Sequence, residues 1–139
     1  MRGQYVLSIA AAVVMGFGVN VLAEEDRVDV REELVTAVPE AIRLLEAKEY
    51  EEFLKSFGNE PGLLKETAEN RGVTTKELAQ GWGESDKPAR LLQALRAIEG
   101  KTPQLDSDGR TATFAYDVKD DAQGKITFKK FGKYWYLRN

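Results

Sequence analysis

The chain of 139 residues contains neither cysteine nor histidine. Without histidine there is no serine–histidine or cysteine–histidine nucleophile pair, and the side chain that most often serves as general base is missing. Zinc sites built on nitrogen and sulfur ligands are excluded with them. Without cysteine there can be no disulfide and no lipid attachment at a bacterial lipobox, so a core alone must hold the fold. A glycine-rich phosphate loop is also missing: "GWG" at Gly81 to Gly83 has neither the spacing nor the following lysine. The acidic "DSDG", Asp106 to Gly109, lacks the later ligands and closing glutamate of a calcium loop and reads as a hairpin turn. These exclusions leave no cofactor to expect.

What is present begins with the layout of a secretory signal peptide. Arg2 precedes an uncharged, mainly apolar run from Tyr5 to Ala23, and Glu24, Glu25 and Asp26 follow it. Val21 and Ala23 suit the peptidase pocket, which predicts cleavage between Ala23 and Glu24 and a periplasmic or secreted protein. The competing reading is an uncleaved anchor, since about 20 apolar residues span a bilayer. Gly16, Gly18 and Asn20 weaken the second half of the run and favour cleavage. Removing residues 1–23 leaves 116, the length of one ordinary domain.

Apolar residues recur at spacings of three and four from Leu34 to Phe57, the mark of amphipathic helix. Pro39 favours a start near Val38, with the upstream residues forming either a separate turn or a helix kinked at the proline. A break at 47–49 then separates a second helix, "EYEEFLKSF". "PGLLKETAENRG" reads as a short helix closed by Gly72. "TTKELAQGWG" opens with a capping box from Thr74 to Glu77 and is stopped by its two glycines. In "SDKPARLLQALRAIEG", Ser85 or Asp86 can cap, Pro88 fits the first turn, and Leu91, Leu92, Leu95 and Ile98 form one stripe.

After Gly100 the period changes to two. Ala112, Phe114, Tyr116 and Val118 share one side of a strand, and Thr111, Thr113, Ala115 and Asp117 the other. "TPQLD" supplies a short edge partner, and "KITFKKF" and "KYWYLRN" a hairpin across Gly132. The expected fold is α+β: N-terminal helices over 31–100 packed on a C-terminal antiparallel meander of three to four strands over 102–138, within a single domain from 24 to 139. On the terminal hairpin, alternation predicts Ile126, Phe128, Trp135 and Leu137 on one side of the sheet and Lys125, Thr127 and Lys129 on the other, separating aromatics from lysines.

"VPEAIRLLEAKEYEEFLKSF" followed by a closing "FGKYWYLRN" resembles the cystatin-like cone fold of the nuclear-transport-factor-like superfamily of small exported bacterial proteins. That resemblance covers about half of the chain after Ala23. It implies helices seated in the concave side of a bent sheet, with Trp135 brought into the core. Residues 59–100 depart from the pattern by carrying helices where it has a hairpin. The superfamily hosts both enzymes and non-catalytic binding modules.

Charge is uneven. Residues 24–70 carry 14 acids and 6 bases, residues 71–139 carry 9 acids and 13 bases, and 125–139 hold five bases with no acid. Lys125, Lys129, Lys130, Lys133 and Arg138 are therefore candidate contacts for an anionic ligand or a partner. Trp82, between two glycines in an expected loop, is a candidate exposed aromatic, against the alternative that it caps the core. Three functions follow. The first is a non-catalytic exported domain binding a small apolar ligand or a protein partner. The second is a surface binder of lipid headgroups or cell-wall carboxylates. The third is a ketosteroid-isomerase-like enzyme drawing on Asp117, Tyr116, Tyr134 and Tyr136, with Asp117 expected to face water. The acidic total and the export layout argue against nucleic acid, and membrane contact is confined to export and to weak headgroup binding.

Overall fold

The computed structural model describes residues 29–118 and 123–138. The proposed leader, 1–23, and its cleavage site lie outside them. Five helices precede a four-stranded antiparallel sheet, so the architecture is α+β. The helices are α1 (Leu34–Glu46), α2 (Tyr50–Phe57), α3 (Leu63–Arg71), α4 (Thr75–Gly83) and α5 (Lys87–Ile98). The strands are β1 (Gln104–Leu105), β2 (Thr111–Asp117), β3 (Gln123–Phe131) and β4 (Tyr134–Arg138), neighbours in that order.

Local chemistry accounts for most boundaries. A 3-10 turn at Val30–Glu32, capped by Asp29, leads into α1. Lys48 in the left-handed region turns the chain between α1 and α2, and Gly72 does the same after α3. Thr74 and Glu77 form the expected capping box of α4, with Thr74 Oγ1 accepting from the Glu77 amide at 3.0 Å and Glu77 Oε1 accepting from the Thr74 amide at 2.9 Å. In the "DSDG" turn, Asp106 Oδ1 accepts from the Arg110 and Thr111 amides, both at 3.1 Å. The carboxylate is committed to the turn itself.

Two helix boundaries differ from the sequence reading. α1 starts at Leu34, so Pro39 lies inside it. The carbonyl left without an amide partner is that of Val35, a residue 79% exposed, where water can take its place. α4 runs through Gly81 to end at Gly83 instead of stopping at the first glycine. Gly81 is outside the left-handed region, so nothing in its backbone breaks the helix.

The core lies between the inner face of the sheet and helices α1, α2 and α5. Phe53, Phe57, Phe128, Leu44, Leu95 and Ile98 are its largest fully buried side chains. Each contributes on the order of 1.5–3 kcal/mol through burial. Ala112 and Phe114 of β2 face inward as the alternation requires, while Val118 falls beyond the strand and is exposed. Ile126, Phe128, Trp135 and Leu137 complete the inner face. The far edge of β4 is closed by residues 58–59: Gly58 bridges Leu137 in parallel, and the Asn59 amide donates to the Leu137 carbonyl at 3.0 Å.

Candidate functional site

Strand register decides where the five candidate bases stand. Lys129 pairs with Tyr136, Lys130 with Trp135, and Phe131 with Tyr134. Directly opposed residues share a face, so Lys130 is on the inner side with Trp135, its Nζ 5.6 Å from that ring. Phe131, Tyr134 and Tyr136 are on the outer side with Lys129. Ile126, Phe128, Trp135 and Leu137 thus lie opposite Lys125, Thr127 and Lys129 as expected, while the general separation of aromatics from lysines is corrected by Lys130 inside and by Phe131, Tyr134 and Tyr136 outside. Consecutive residues in "FKKF" and "YWY" must alternate between faces, so a run of one chemical type is always split.

The outer face gathers Lys125, Lys129 and Arg138, with Thr127 paired to Arg138 and Thr113 to Thr127. Lys133 sits in the β3–β4 turn, its Nζ 6.0 Å from the Tyr134 ring. That ring is already occupied: the Arg31 guanidinium carbon lies 4.1 Å from its centroid. Arg31 also donates to the Ser56 carbonyl at 3.3 Å and pairs with Asp29 at 3.2 Å. Hydrogen bonding from Arg31 holds the Asp29 carboxyl below its ordinary value. The N-terminal turn is thus stapled across the outer edge of β4, and Tyr136 is buried despite facing outward. Asp117 is exposed on the outer face, and Tyr116 lies on the inner face, half-buried over Gly124. These two do not converge with Tyr134 and Tyr136.

The space between helices and sheet holds the buried side chains of Phe57, Leu95, Ile98, Phe114, Phe128 and Trp135. A depression of about 310 Å³ remains at the rim, beside Leu34, Val38, Ile98 and Phe114, and a larger open volume lies elsewhere. Helices α2, α3 and α4 enclose a cleft of about 750 Å³. α3 and α4 both line it and are joined by a turn at Gly72. Its apolar surface comes from Leu54, Leu63, Leu64, Leu78 and Trp82, all half-buried. α3 has only Ala68 fully buried, so its two leucines are left facing the cleft.

Trp82 forms the back wall. Its indole stacks on Phe53 with ring centroids 5.6 Å apart and planes at 14°, and meets Tyr50 edge-on at 5.8 Å. Phe53 passes the contact to Phe57 at 5.8 Å. Trp82 thus caps the core from a helix, while its other side lines the cleft. Sequence reasoning placed it in a loop and so missed the cleft; the usable signal was the spacing of Leu78 and Trp82, four apart on one helix face.

Polar groups mark the two ends. Near the Gly72 turn are Arg71 and Glu77. Hydrogen bonding from Thr74 lowers the Glu77 carboxyl from its ordinary value, so that carboxylate belongs to the cap. At the opposite end are Ser85 and Lys87. Ser85 Oγ donates to the Trp82 carbonyl at 2.6 Å and accepts from the Lys87 amide at 3.2 Å. Neither Arg71 nor Lys87 has an ion-pair partner among the described residues. Two further depressions, about 590 Å³ beside Lys48 and Lys76 and about 520 Å³ beside Arg31 and Tyr136, are lined mainly by charged and polar side chains.

Among the described residues no group of three or more acidic side chains could hold a metal ion. No helix there is long and apolar enough to cross a membrane. No protein-family model matches the chain, and neither a curated protein nor a solved structure is found similar to it.

Proposed function

We propose that this protein is a non-catalytic, exported binding domain that holds a small, largely apolar molecule in the cleft between α2, α3 and α4. The observation carrying the reading is the cleft itself: five large apolar side chains stay half-buried around an open volume of about 750 Å³. Pockets for small ligands fall at roughly 300–1,000 Å³ and combine apolar walls with a few polar groups. Catalysis has less support, because among the described residues Asp117 is exposed and apart from the cleft, and the Glu77 carboxylate that lines the cleft is engaged in a helix cap. Export rests on the N-terminal layout, and kinship with the cystatin-like group on the helix pair and closing strand.

The test is native mass spectrometry of the protein expressed from its full sequence into a periplasm and purified without detergent, with the denatured mass as control. A reproducible non-covalent increment, lost when Gly81→Phe fills the cleft, is the expected result. An increment that survives the filling would place the ligand elsewhere and overturn the reading.

The clustering of Lys125, Lys129 and Arg138 on one sheet face favours a second reading, contact with anionic surfaces. Its signature is steep weakening with ionic strength, which burial in an apolar cleft does not show.

A further inference from the structure

We infer that the cleft ligand is an amphiphile with one anionic head, a long-chain carboxylate in chemical class, whose tail lies against Gly81 and whose head meets Lys87. The inference rests on the binding reading above and adds the ligand's chemistry and orientation.

The first observation is Gly81. Glycine is less favourable than alanine inside a helix, and it persists where a turn, a positive φ or a close neighbour requires it. None of these applies. Gly81 lies within α4, has no left-handed φ, and a Cβ built on it meets nothing within 4 Å. Gly83, two residues on, shows the contrast: a Cβ there would strike the Tyr50 ring. Packing explains Gly83 and leaves Gly81 unexplained. What a side chain at 81 would occupy is the cleft, between Leu78 and Trp82 on the same helix. The missing side chain keeps that wall low enough for a chain to lie across it.

The second observation is the asymmetry of the two cations. Arg71 is the last residue of α3, where a positive charge complements the negative helix end, and Glu77 shares its end of the cleft. Its presence has a structural reason. Lys87 is the first residue of α5, where the helix dipole disfavours a cation. It has no ion pair among the described residues, and no carboxylate lines its end of the cleft. Asp86 beside it is engaged with Arg90 at 2.8 Å. An apolar cleft closed at one end by an unneutralised ammonium fits a molecule with an apolar body and a single negative terminus. α4, which forms one wall, is about 13 Å long, so the occupant is elongated.

The test compares dodecanoate, dodecanol and dodecyltrimethylammonium below their micellar concentrations, by titration calorimetry on the exported full-sequence protein stripped of bound lipid. The expected result is binding of dodecanoate about fivefold more tightly than dodecanol, the size of one rim ion pair, with the quaternary amine weakest. Lys87→Gln should remove the preference for dodecanoate and leave dodecanol binding unchanged. Gly81→Leu and Gly81→Phe should weaken all three in order of side-chain size, with urea midpoints confirming that each variant folds. Equal binding of dodecanoate and dodecanol, both blocked at position 81, would overturn the head assignment while leaving the cleft reading intact. Binding indifferent to position 81, or no binding of any of the three, would overturn both. A dimer lost on Gly81→Phe would give the cleft to a second copy of the chain and likewise overturn the proposal.

Discussion

Replacing Gly81 and Gly83 separately by alanine should have opposite effects, although the positions are two residues apart in one helix. At Gly81 the added methyl meets nothing within 4 Å and the backbone is free of positive φ, so no strain opposes the gain in helix propensity. Glycine costs roughly 0.5–1 kcal/mol relative to alanine at such a position. With a urea slope of about 2 kcal/mol/M, the midpoint should rise by about 0.4 M, and the melting temperature by ~2–6 °C. At Gly83 the methyl would overlap the Tyr50 ring, which cannot swing freely because it meets Trp82 edge-on at 5.8 Å. Overpacking of this kind costs about 1–3 kcal/mol and outweighs the propensity gain. The assay is urea denaturation followed by far-ultraviolet circular dichroism, with the slope checked for constancy. A neutral or destabilising Gly81→Ala at unchanged slope would show that the fold itself needs that glycine. The argument that it is kept for the cleft would then fail.

Other outcomes follow from the same geometry. Phe53→Ala removes a fully buried ring that carries the stacks to Trp82 and Phe57; it should cost about 3–5 kcal/mol in denaturant unfolding and shift Trp82 emission to the red. Thr74→Ala breaks the α4 capping box and should cost about 1 kcal/mol in the same assay. The Glu77 carboxyl is lowered from 4.5 by the Thr74 hydrogen bonds, so its share of stability is complete above about pH 4.5 and lost as pH falls through the lower folded value. Glu77→Gln should flatten that part of an acid-unfolding profile. Arg31→Met frees the turn stapled over Tyr134 and removes the Ser56 contact; a loss of about 1–2 kcal/mol and faster amide exchange at 56–59 and 134–137 are expected.

Helix and strand positions were legible because period and punctuation agree. Gly72, the Thr74–Glu77 box, the Asp106 turn and the Gly132 hairpin act locally, and each is where local chemistry puts it. Pro39 and Gly81 misled because tertiary burial of Ala37, Val38, Ala41 and Ile42, and of Ala79, carries each helix past its local breaker. On the terminal hairpin the two-residue period placed Ile126, Phe128, Trp135 and Leu137 opposite Lys125, Thr127 and Lys129 as observed, but extending that separation to every aromatic and lysine failed for Lys130, Phe131, Tyr134 and Tyr136. The cleft was illegible for another reason. It depends on how α2, α3 and α4 come together so that Leu54, Leu64 and Trp82 line one space, which no local pattern encodes. Of the site residues named from sequence, only Trp82 lines it; Lys87 and Gly81 carried no local mark of their role.

The most direct test of the cleft is amide chemical-shift mapping by ¹H–¹⁵N nuclear magnetic resonance as dodecanoate is added to the protein. Perturbations concentrated at 54–87, with Gly81, Trp82 and Lys87 among the largest, are the predicted result. Perturbations confined to 125–138 would move binding to the basic face of the sheet and contradict the account.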